Sequence, residues 1–102
     1  MPTIMIVDDE KNVIDQMKSF LQTESFEILT AETPREALEY IDRNNIENKV
    51  DLILVNTFIP GTEQKAYFSL KPSSRFNTAP NDDILPKPFT KDQLLSYLWK
   101  KI

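Results

Sequence analysis

Cysteine and histidine are both missing from these 102 residues, and there is only one glycine, Gly61. Without cysteine there are no disulfides, no thiolate metal sites and no cysteine nucleophile. Without histidine, the zinc sites and catalytic triads built on imidazole are excluded as well. A single glycine cannot form the G-x-G-x-x-G or G-x-x-x-x-G-K-[ST] loops that cradle phosphates, so nucleotide-binding readings lose their main support. No apolar run approaches the length of a membrane span. The N-terminus runs from Met1 to Val7 straight into acidic residues, with no basic region or small-residue cleavage site, so it does not read as a signal peptide. A cytoplasmic location is the expectation.

What is present describes an ordinary globular chain. Apolar residues make up 40% and charged residues 27%, enough to build a packed core. The length allows one domain, residues 1–102. Sixteen acidic against twelve basic side chains leave a net charge of −4, which argues against nucleic acid or an anionic membrane as the main partner.

Thr3 to Val7 is a short apolar run rich in β-branched residues and reads as a strand buried on both faces. It stops at Asp8-Asp9-Glu10. Val13, Ile14, Met17, Phe20 and Leu21 then recur at helical spacing, predicting a helix from Lys11 to Gln22. Phe26 to Ala31 reads as a second strand. Thr33, Pro34 and Glu36 form a capping box with proline at the first helical position, opening a second helix that ends near Asn44-Asn45. Asp51 to Val55 is a third apolar strand. Strands buried on both faces alternating with helices predict a parallel sheet between helical layers. In such sheets the functional crevice lies beyond the carboxyl ends of the strands, where Asp8, Asp9 and Asn56 stand.

Near the other end, Ile84-Leu85 reads as a strand leading into Pro86-Lys87-Pro88-Phe89. Thr90 to Gln93 is a second capping box, and Leu94, Leu95, Leu98 and Ile102 give the last helix its apolar stripe. Trp99 is either the edge of the core or an interface anchor. Thr62 to Lys71 reads as a short helix stopped by Pro72, with Tyr67 and Phe68 in its core face. Ala66 to Leu70 and Arg75 to Ala79 are alternative strands, and Pro72 to Asp83 is otherwise loop-like.

Three segments resemble the receiver domain of two-component response regulators. Ile4 to Glu10 is similar to that family's first strand and acidic pair. Asp51 to Gly61 is similar to its third strand and phosphorylation loop, and Asp82 to Phe89 to its last strand with Lys-Pro. The resemblance implies a three-layer flavodoxin-like α/β fold with a parallel sheet. It also implies a site in which Asp8, Asp9 and the carbonyl of Phe58 hold Mg²⁺ and Lys87 faces the phosphoryl group. Mg²⁺ is a hard cation suited to such oxygens, and a lysine there would offset phosphoryl charge. Pro88 is expected to follow a cis peptide bond, as in the family.

Asn56 departs from this pattern, because it stands where the family carries its phosphoacceptor aspartate. A carboxamide is neutral and a poor nucleophile, and Mg²⁺ loses one of three carboxylates. The amide is expected to donate to Asp9 and Lys87 to bridge to Asp8 or Asp9, closing the site without an ion. Ile84 occupies the position of the family's switching aromatic, and neither Ser69 nor Thr78 lies at the usual place of its hydroxyl residue. Complete receivers run to about 120 residues, within the common domain range, and a parallel crossover needs about a dozen. The fold is therefore expected to be truncated around the third helix, fourth strand and fourth helix, with the last strand beside the third. Removing helices is expected to uncover apolar sheet surface and so to favour a protein partner or a homodimer. The expected function is a phosphorylation-independent signalling or interaction module and not an enzyme. The alternative is a working phosphoacceptor that uses another carboxylate, or an Asn56 converted by deamidation.

Overall fold

The computed structural model describes residues 1–74 and 84–102. Among the described residues, five strands and three α-helices follow the order β1 (Thr3–Val7), α1 (Lys11–Leu21), β2 (Glu27–Ala31), α2 (Pro34–Asn44), β3 (Leu52–Phe58), β4 (Lys65–Leu70), β5 (Ile84–Pro86) and α3 (Lys91–Lys101), with a 3₁₀ turn at Pro72–Ser74. The sheet order is β2-β1-β3-β4-β5. β1 pairs in parallel with β2 and with β3. β4 runs antiparallel to β3, and β5 antiparallel to β4.

The first half follows from its residue pattern. All five residues of β1 are buried, because the strand is central and covered on both sides. Ile4 and Ile6 join Ile14, Met17 and Leu21 of α1 and Leu94 and Leu98 of α3 in one core. Met5 and Val7 point the other way, onto Ala37 and Ile41 of α2. This alternation is what a two-sided strand requires, since successive side chains face opposite layers. Thr33 caps α2 by accepting from the Glu36 N–H, and Thr90 with Gln93 forms the complete capping box of α3.

The second half corrects three expectations. The stretch read first as a helix from Thr62 to Lys71 is strand β4 from Lys65 onward, matching the alternative strand Ala66 to Leu70, so the sheet is mixed and not wholly parallel. β5 lies beside β4, not beside β3. β3 also continues past Val55 to Phe58, because β4 offers it a partner there. The connection between the two is a tight turn. Pro60 and Gly61 occupy its centre, Gly61 has φ +78°, and the Thr62 N–H donates to the Ile59 carbonyl at 3.0 Å. Proline followed by a glycine at positive φ is the signature of a type II turn. The alternative strand at Arg75–Ala79 and the candidate Thr78 lie outside the described residues.

The expected bare sheet face is not seen at β4, where Ala66 is fully buried and Phe68 nearly so. Larger apolar side chains are exposed elsewhere, notably Trp99, which is 53% exposed with its ring 5.1 Å from that of Phe26. Among the described residues, no helix is long and apolar enough to cross a membrane.

Candidate functional site

The site lies at the carboxyl ends of β1 and β5 and along the extended end of β3. Asp8 follows β1 directly and is 2% exposed. Its backbone N–H donates to the Ala31 carbonyl at 3.0 Å, so the β1–β2 ladder holds it in place. Four donors converge on its carboxylate. The Glu10 N–H (2.8 Å) and Asn56 Nδ2 (3.3 Å) reach Oδ1. Lys87 Nζ (3.1 Å) and the Tyr67 hydroxyl reach Oδ2. An ionised carboxylate offers about four lone-pair positions, so Asp8 is saturated.

Asn56, Lys87 and Asp8 therefore meet: the lysine takes Asp8, one of its two expected partners, whereas the amide donates to Asp8 and not to the expected Asp9. The amide orientation is assigned from this network: turned over, its oxygen would face the carboxylate. Its own Oδ1 is buried and accepts no hydrogen bond from the described residues. Asp9 and Glu10 are exposed. Lys65 Nζ lies 3.7 Å from Glu10 and 5.4 Å from the centroid of the Phe58 ring. Phe58 itself is paired with Lys65 on the β3 extension, and its side chain is 52% exposed. The Lys87–Pro88 peptide bond is cis. Ile84 pairs with Phe68, and Ser69 sits opposite Leu54, two residues from Tyr67 toward the other end of the sheet.

Tyr67 is the participant that sequence reasoning misplaced. It was read as core of a helix, whereas it stands on β4 directly opposite Asn56. Its ring is fully buried, packs edge-on to Phe89 at 6.0 Å and lies 4.5 Å beneath Lys87 Nζ. Burial, and then the hydrogen bond to the Asp8 carboxylate, push its phenol well above the usual value near 10.0. Tyr67 is thus a neutral donor to the Asp8 carboxylate. A hint was available in Pro60-Gly61, a turn signal that separates β3 from an aromatic-containing run.

The Mg²⁺ site implied by the acidic pair fits these residues poorly. Carboxylate oxygens of Asp8, Asp9 and Glu10 do approach within 4.8 Å of one another. Any ion on Asp8, however, would have to displace a donor already bound there. The remaining carboxylates, Asp9 and Glu10, are exposed and solvated.

Similarity to known proteins agrees with this geometry. Residues 4–64 match the response regulator receiver domain family. The chain is 37% identical over 59 residues to the regulatory protein VanR of Enterococcus faecium, covering 58% of this chain and 24% of that protein. It is 34% identical over 61 residues to the response regulator GtcR of Aneurinibacillus migulanus, covering 60% and 24%. A third relative, the transcriptional regulatory protein CpxR of Escherichia coli, is 24% identical over 116 residues, covering 94% of this chain and 47% of that protein. That alignment is longer than the chain, which requires gaps in it. No solved structure matches. The chain belongs to the receiver-domain family of two-component response regulators, and it spans between about a quarter and about half the length of the curated relatives it matches.

Proposed function

We propose that this receiver domain works as a phosphorylation-independent protein-interaction module and not as an enzyme or a phosphoacceptor. One observation carries the reading: the Asn56 carboxamide stands in the acceptor position and donates to an Asp8 whose other acceptor sites are filled from within the protein. A neutral amide does not form an acyl phosphate. The shortage of open carboxylate oxygen removes the cation that would otherwise offset phosphoryl charge.

The partner is a protein, either a second copy or a different chain, in the cytoplasm. Exposed Trp99 beside Phe26 supports such a contact, since aromatic anchors are enriched at interfaces. The acidic net charge disfavours nucleic acid and anionic membranes.

Incubation with a small-molecule phosphodonor and Mg²⁺, followed by intact-mass measurement, tests the central claim. The expected result is an unchanged mass. A hydroxylamine-labile phosphate adduct would overturn it in favour of a receiver that uses another carboxylate, with exposed Asp9 the first to examine. Sedimentation at micromolar concentration, alone and with candidate signalling proteins, tests the partner.

A further inference from the structure

We infer that Tyr67 is a positioning residue that holds Asp8 away from cations, so that the site is blocked twice and an acid restored at position 56 does not reopen it. The inference rests on reading the cluster as a closed receiver site, and it goes beyond the missing acceptor.

The argument begins with register. Tyr67 and Asn56 are directly opposed in the antiparallel β3–β4 pair. Opposed residues project from the same face of a sheet, so both side chains reach the same carboxylate. Were β4 shifted by one residue, Ala66 or Phe68 would stand opposite Asn56, and the phenol would turn to the other layer. Reversal of this strand, in this register, is therefore what delivers the hydroxyl.

Packing then holds the hydroxyl there. The Tyr67 ring is wholly buried, its edge meets Phe89, and Lys87 Nζ lies over its face. Tyr67 and Lys87 together occupy Oδ2 of Asp8, while the Glu10 N–H and Asn56 hold Oδ1. Replacing Asn56 by Asp removes only one of these four donors and leaves Oδ2 as it was. Replacing Tyr67 by Phe keeps the ring volume and frees a lone pair on Oδ2.

The test compares Mn²⁺ affinity by calorimetry for the wild type, Asn56→Asp, Tyr67→Phe and the double variant. Backbone amide resonances of Asp8 to Glu10 locate the ion. Asn56→Asp alone should remain weak. The double variant should bind at least about tenfold more tightly than Asn56→Asp, the scale of one hydrogen bond to a charged group. Equal affinity in those two variants would overturn the inference. Should the Tyr67 variants fail to fold, Asn56→Asp titrated with Mg²⁺ still decides. On this inference an ion binds only by displacing the hydroxyl and shifting the ¹³C-labelled Tyr67 ring, so binding with an unmoved ring, through the Oδ1 position that Asn56 vacates, overturns the block. A phosphate adduct on the wild type would instead defeat the proposed function and leave the affinity comparison standing.

Discussion

Strands β1 to β3 and strands β4 and β5 build one continuous sheet by different means. In the first segment, three parallel strands are joined by helical crossovers, and each helix covers an apolar face. In the second, β4 turns back beside β3 and β5 turns forward again beside β4. Two reversals cancel, so β5 runs in the same direction as β3, and Lys87 emerges at the end of the sheet where Asp8 waits. The site needs the direction of the last strand, and among the described residues that direction is set by antiparallel pairing and not by helical crossovers. Tyr67 is the by-product: a strand running the other way presents a different side chain to the same carboxylate.

Substitutions can break this comparison, and the most severe should fall in the reversed segment. Tyr67→Ala removes a fully buried ring from between Phe89 and Lys87 and should cost about 3–5 kcal/mol in urea unfolding. A loss below about 1 kcal/mol would mean that β4 contributes little to the core. Asp8→Ala, at the junction of the two segments, leaves Lys87 and Tyr67 without their acceptor. It should cost about 2–3 kcal/mol, since Lys87 is partly hydrated.

Alkaline pH sharpens the contrast by a smaller amount. The Tyr67 phenol is raised above its ordinary value near 10.0 by burial and by Asp8. The folded protein therefore keeps a proton that the unfolded chain loses. This contribution is fully present below pH 10 and declines as pH rises above it, by about 1.4 kcal/mol per unit. Comparing the wild type with Tyr67→Phe across that range isolates it; parallel curves would remove the phenol from the account. The smallest effect belongs to the turn. Gly61→Ala meets no steric neighbour but forces a side chain onto φ +78°, and should cost about 1 kcal/mol by thermal unfolding.

Much of the first segment was legible in the residues. Apolar runs such as Ile4 to Val7 and Leu52 to Val55 are too uniform for anything but two-sided strands, and Thr33-Pro34 marks a helix start. The reversed strand was legible only as an alternative, Ala66 to Leu70, beside the preferred helix. Lys65-Ala66-Tyr67-Phe68-Ser69-Leu70 lacks β-branched residues, and its conformation is imposed by pairing with β3, a tertiary effect that outweighs local preference. The same gap explains the site. Asp8 and Asn56 could be placed because they follow apolar runs that the pattern defines, and Lys87 because the Lys-Pro segment resembles that of the receiver family. Tyr67 could not, because its position depends on a register that only the fold reveals.

The donors to Asp8 lie at sequence separations of 2, 48, 59 and 79 residues. A chain that has assembled only as far as Asn56 can supply two of them, and leaves Oδ2 without either of its protein donors. Local detachment of β4 and β5 recreates that predicament, so fraying of the last strands is discouraged from within. The slowest-exchanging amides of β4 should accordingly open only with the whole molecule, which makes one carboxylate the rivet that turns two differently built segments into a single cooperative unit.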